Sequence, residues 1–237
     1  MTAASLEFAA VSRNYGGLRP LRIAELRVEA GEQVALLGFD QPTAEVFINL
    51  ATGATLPEAG EVRIFGRPTS AIDNSADWLS TVDRFGIVSE RAVILDGLTV
   101  IQNLAMPFTL EIEPPPPDVR VRAEALAREI GLAEDAWDRP VGALDASGAL
   151  RVRLGRAIAL EPGILLVEHA SARLERRDVA PIGEQMRAVA AARGIALVAI
   201  AADEVFAKAV ARRVLTLEPA TGRLRPQRRG WFRLGAP

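Results

Sequence analysis

The chain has 237 residues, long enough to bury a sizeable core in one large domain or two small ones. Its 28 Lys and Arg against 30 Asp and Glu give a formal net charge of −2, which points to no nucleic-acid partner. Cysteine is absent, which excludes disulfides and thiolate metal sites.

The longest apolar runs are about ten residues or fewer, short of the roughly 20 that span a membrane. Met1-Thr2-Ala3-Ala4-Ser5 lacks the basic head and apolar stretch of a signal peptide. The expectation is a soluble, cytoplasmic protein. Leu6 to Val11 alternates and reads as a strand, Arg22 to Val28 as a second and Val34 to Leu37 as a third. Gly38 ends the third. A turn-like Asp40-Gln41-Pro42 follows, then a helix from about Thr43 to Ala51. Strand, tight loop and helix form the context of a phosphate-binding loop, G-x-x-x-x-G-K-[ST]. On that pattern Gly38 is the first glycine, Thr43 stands for the second, Ala44 for the lysine and Glu45 for the Ser/Thr. The scaffold is there and the chemistry is not. Lys208 is the only lysine, and no basic residue lies between Gly38 and Leu50, so any cation has to come from another loop.

Gly60 to Gly66 reads as a glycine-bounded strand, Phe85 to Val88 as another, and Leu98 to Met106 as a helix with Thr99 near its start. Pro114 to Pro117 cannot sit inside a helix or central strand and reads as a stiff loop. Val119 to Ile130 and Gly148 to Leu160 have helical periodicity. Ile164 to Val167 is a buried strand, Val179 to Ala192 a helix ended by Gly194, Ile195 to Ile200 a strand, Glu204 to Val210 a helix, and Arg213 to Leu217 a strand. The basic tail Arg228 to Arg233 reads as a surface contact at most. Alternating strands and helices predict α/β layers around a largely parallel sheet. The helix-rich block, about 97–160, reads as a helical subdomain inserted into a core formed by about 1–96 and 161–237, the whole chain making one domain.

Several segments, in this order and spacing, resemble the ATP-binding cassette of ABC transporters over nearly the whole chain. They are Val11 to Gly16 with its aromatic Tyr15, Ala30 to Gly38, Gly60 to Gly66, Leu98-Thr99-Val100-Ile101-Gln102-Asn103-Leu104, and Arg151 to Pro162. The resemblance implies a P-loop NTPase-like fold with an antiparallel N-terminal β part. It also implies a nucleotide site in which Tyr15 stacks on adenine. At the matched positions that site is altered. Ala44 supplies no charge, and Glu45 puts a carboxylate where a hydroxyl holds Mg²⁺. Glu168 and His169 stand where the family has Asp and a catalytic Glu. His169 is the only histidine, and a lone histidine makes no metal site. The signature L-S-G-G-Q falls on Leu144, Asp145, Ala146, Ser147 and Gly148, where only the leucine matches. The glutamine that links nucleotide to the membrane partner appears as Glu90, and the switch histidine as Ala202.

The resemblance therefore implies a catalytically degenerate cassette, with no catalytic residues and no metal expected. ATP and Mg²⁺ enter only if some binding survives. Its partners would be integral membrane transporter subunits and a second cassette, in a homo- or heterodimer, with the chain peripheral at the inner face of the membrane. Two alternatives stay open: a divergent but working transporter ATPase, and a cassette-derived binding module outside transport.

Overall fold

The computed structural model describes residues 4–227; Met1 to Ala3 and the tail that includes Arg228 to Arg233 lie outside the described residues. In chain order the strands are β1 (Ala4–Arg13), β2 (Leu21–Glu29), β3 (Gln33–Leu37), β4 (Ala59–Ile64), β5 (Arg67–Pro68), β6 (Phe85–Val88), β7 (Ile164–Glu168), β8 (Ala196–Ile200), β9 (Arg213–Glu218) and β10 (Arg223–Pro226). The helices are α1 (Gln41–Ala51), α2 (Ser75–Val82), α3 (Val100–Ala105), α4 (Pro117–Glu129), α5 (Ala146–Ile158), α6 (Arg176–Ala192) and α7 (Glu204–Val210).

Two sheets result. A four-stranded antiparallel sheet runs β2-β1-β4-β5, and a six-stranded sheet runs β10-β9-β3-β8-β7-β6. In the second sheet only β10 is antiparallel to its neighbour. Its central strands are buried on both faces, which is why they read as continuous apolar runs. The period of two still sorts their side chains. Val34, Leu36, Ile164, Leu166, Val198 and Ile200 pack with α1 and the antiparallel sheet. Ala35, Leu37, Leu165, Val167, Leu197 and Ala199 face the other way and join the core of α3 to α7.

Between Leu98 and Ile158 the described structure is helical, with no strand. Thr99 and Gln102 form a reciprocal capping box at the start of α3. The proline run differs from the sequence expectation at its last residue. Pro117 opens α4, because the first helical position has no intrahelical use for the missing N–H. Three of these elements were not expected: the two-residue strand β5, helix α2 and strand β10. Helix α2 buries no residue fully, and β10 is a mostly exposed edge strand. Among the described residues no helix is long and apolar enough to cross a membrane.

Candidate functional site

The strand–loop–helix at β3 and α1 closes differently from an open phosphate loop. Gly38 sits at φ +85°, and a Cβ there would lie 3.1 Å from the Leu217 carbonyl oxygen, so glycine is required. Phe39 turns inward, edge-on to Phe47 at 5.7 Å, and Phe47 stacks on Phe8 at 4.8 Å. Helix α1 then begins at Gln41, two residues before the expected Thr43. Asp40 caps it: its Oδ1 accepts from the Thr43 N–H at 2.9 Å and the Thr43 hydroxyl at 2.6 Å. The hydroxyl first and the N–H second hold the Asp40 carboxyl below its usual range. The positive end of α1 is thus filled by the chain's own carboxylate. Pro42 brings no N–H to the first turn, and the Ala44 N–H is bonded to the Asp40 carbonyl at 2.9 Å. The Ala44 side chain is wholly buried in the apolar cluster.

The cation that the loop lacks arrives from a residue the sequence did not single out. Glu168, at the end of β7, is 1% exposed. Its Oε1 accepts from Gln41 Nε2 at 2.8 Å, and its Oε2 from Ser89 Oγ at 2.6 Å and Arg91 Nη2 at 3.0 Å. Arg91 Nη1 also lies 2.9 Å from Glu45 Oε1. One guanidinium therefore sits between the carboxylates of α1 and β7. A carboxylate this deeply buried is stable only when its lone pairs are satisfied, and those of Glu168 are.

Glu90 points elsewhere. It pairs with Arg153 Nη1 of α5 at 3.3 Å and with Arg173 Nε at 3.4 Å, so it ties the helical block to the turn after β7 and does not reach Glu168. His169 takes the left-handed conformation, φ +43°, and its backbone N–H donates to Ile200 at 2.8 Å. Its Nε2 is buried without a hydrogen-bond partner. Ala202 is exposed just past β8. In the signature-like segment Asp145 caps α5, accepting from the Gly148 N–H at 2.7 Å. Ala146 is exposed, while Ser147 is buried and accepts from Arg151 Nη1 at 2.6 Å. Tyr15 lies across Gly17, where a Cβ would come within 2.7 Å of its ring. It lines a cavity of about 170 Å³ with Gly38, Asp40, Thr43 and Leu217, below the roughly 300 Å³ at which ligand pockets begin.

The fold gathers Gly38, Thr43, Ala44, Glu45 and Glu168 at one end of the parallel sheet, and adds Asp40, Gln41, Ser89 and Arg91. These residues do not fit a magnesium nucleotide. The region carries three carboxylates, Asp40, Glu45 and Glu168, and its one guanidinium, Arg91, is already paired with the last two. A triphosphate would add charge of the same sign, and a single like pair costs about 4 kcal/mol at ~4 Å and an effective dielectric of ~20.

A second concavity, about 540 Å³, lies between β6 and the helical block and is lined by Ala92, Ile94, Met106, Arg153, Arg156 and Ala157, among others. Its wall is the segment that carries Arg91.

No family model matches the chain. It is 28% identical over 220 residues to the methionine import ATP-binding protein MetN of Leifsonia xyli, covering 91% of this chain and 64% of MetN, so the chain spans about two thirds of that relative's length. It is 28% identical over 198 residues to the lipoprotein-releasing system ATP-binding protein LolD of Myxococcus xanthus, covering 82% of this chain and 86% of LolD. Among solved structures, CbiO1 of Clostridium perfringens, part of the ABC transporter complex CbiONQ, aligns with a TM-score of 0.78 at 19% identity, covering 94% of this chain and 87% of CbiO1. The fold is that of the ATP-binding cassette. The relatives in sequence and the neighbours in structure are ATP-binding cassettes of ABC transporters.

Proposed function

We propose that the chain is a cassette subunit of a membrane transport complex that has exchanged nucleotide hydrolysis for a structural or regulatory role. It works at the cytoplasmic face of the membrane, attached through the groove beside β6 to integral membrane subunits and paired with a second cassette. The observation that carries this reading is the bridge Glu45–Arg91–Glu168. In a working site those positions hold a metal ion and face phosphates; here they neutralise one another. Asp40 at the α1 N-terminus and Ser147 turned onto Arg151 support it from two further sides. The substrates named for the relatives are theirs and are not carried over.

Purified protein is expected to show no ATP turnover above background, alone or with a co-expressed second cassette mutated in its own catalytic residues. Changing His169 to Ala should alter nothing. Turnover on the order of 1 s⁻¹ that disappears with His169 would sink the reading and make the chain a divergent working ATPase.

A further inference from the structure

The segment from Ser89 to Leu98 joins β6 to the helical block and is held along most of its length. Ser89 Oγ donates to Glu168 and accepts from the Arg91 N–H at 3.1 Å. Glu90 pairs with Arg153 and Arg173, and Arg91 with Glu45 and Glu168. The Val93 carbonyl accepts from Arg156 Nη1 at 2.5 Å. Asn103, wholly buried, accepts from the Leu95 N–H and donates back to the Leu95 carbonyl, each at 3.0 Å. A connecting segment with so many internal partners has little freedom to follow a ligand.

Arg91 is the member of this set that reaches both carboxylates of the closed site. Its neighbours there, Gln41 and Ser89, are neutral and hydrogen-bond to Glu168 without bringing charge. The site therefore needs one positive centre, and the chain supplies it from Arg91, the residue just before the groove-lining Ala92 to Ile94. We propose that Arg91 is a built-in counter-ion: its guanidinium lies between Glu45 and Glu168 and supplies, from the chain itself, the positive charge these two carboxylates need, next to the groove and without any bound ligand. This rests on the reading that the site has given up nucleotide. It adds the device that does the replacing and predicts a groove set by the chain itself.

The test is a thermal-unfolding cycle of the full chain with Arg91→Met, Glu168→Gln and the double variant. Each is measured without divalent cation, with millimolar MnCl₂, and with NaCl at matched ionic strength. Arg91→Met should lower Tm by about 5 °C or more, because it leaves Glu168 buried without its cation. The double variant should recover most of that loss. Mn²⁺ should raise the Tm of Arg91→Met by several degrees and leave the parent and the double variant unmoved. The free-Mn²⁺ electron paramagnetic resonance signal should fall with the single variant only. If Arg91→Met does not accumulate as folded protein, a folded double variant still supports the role. A double variant that also fails to fold, additive losses in the cycle, or equal Mn²⁺ shifts in parent and Arg91→Met would overturn it. ATP turnover by the parent chain would overturn the proposed function and leave this cycle intact. An uncoupled cycle would remove the role of Arg91 and leave the absence of turnover standing.

Discussion

Replacing Asp40 with Ala tests whether the loop before α1 is closed by its own carboxylate. The change removes the side-chain acceptor at the start of an 11-residue helix that has no acidic residue in its first turn. The Thr43 N–H and hydroxyl both lose their partner. Loss of an N-cap costs about 1 kcal/mol, within a range of roughly 0.5–2, which for a protein of this size is a fall in Tm of about 2–4 °C. The pH dependence carries the sign. The hydrogen bonds from the Thr43 hydroxyl and N–H hold the folded-state pKa of Asp40 below its ordinary carboxylate value, so its contribution is full above the unfolded pKa and is lost as pH falls through the lowered folded value. The gap between parent and Asp40→Ala should be widest near pH 7 and should narrow below about pH 4. Asp40→Asn should keep most of the stability at pH 7, since asparagine also caps, and should show little of the acid dependence. Thermal melts of the three proteins at pH 7 and pH 3 give the answer. No gap at pH 7, or an equal gap at both values, would refute the closed-loop account.

Two further outcomes follow from the same geometry. Ala44→Lys places a long cationic chain at a position with no exposed surface. It should lower stability by about 1–3 kcal/mol in urea melts without conferring calorimetrically measurable ATP binding. Ala92→Arg in the groove wall should weaken recovery of co-expressed membrane subunits from detergent extracts while shifting Tm by less than about 2 °C. Added ATP should change neither recovery, and an ATP-dependent recovery of the parent chain would contradict a ligand-independent groove.

The sheet was legible because burial on both faces writes itself as short apolar runs; Phe85–Val88 and the helix Glu204–Val210 came out with their observed bounds. Helix α2 was not legible because it is only eight residues long and none of them is fully buried, so Trp78, Leu79 and Val82 make an apolar stripe of barely one turn. The start of α1 was misplaced because Asp40-Gln41-Pro42 has turn composition, yet Asp followed by Pro within the first turn is also a helix-start signal. The departures at Ala44, Glu45, Glu168 and His169 were readable in the sequence, where their side chains differ from those of the pattern that the surrounding segments resemble. Arg91 was not, because its partners lie in α1 and β7, far away in the chain, and nothing local distinguishes it from the many other arginines. The sequence did show that the loop carries no cation of its own, and that gap is where a search for a distant arginine had to begin.

The position of β3 also shapes the birth of the protein. Its Val34–Leu37 pair with Arg213–Thr216 on one side, and Gln33–Leu36 pair with Leu197–Ile200 on the other. Both neighbours are thus translated at the far end of the chain. At roughly 5–20 residues per second, the strand waits on the order of ten to forty seconds beside the ribosome for partners that do not yet exist. The antiparallel sheet of β1, β2, β4 and β5 is complete within the first 68 residues and assembles early. Over that interval it offers an apolar face on which Phe8 meets Phe47 of α1, in the same cluster as Val34 of β3. Until β8 and β9 emerge, the nascent strand keeps two open edges, and those seconds are when a foreign strand or a second nascent copy can bind there.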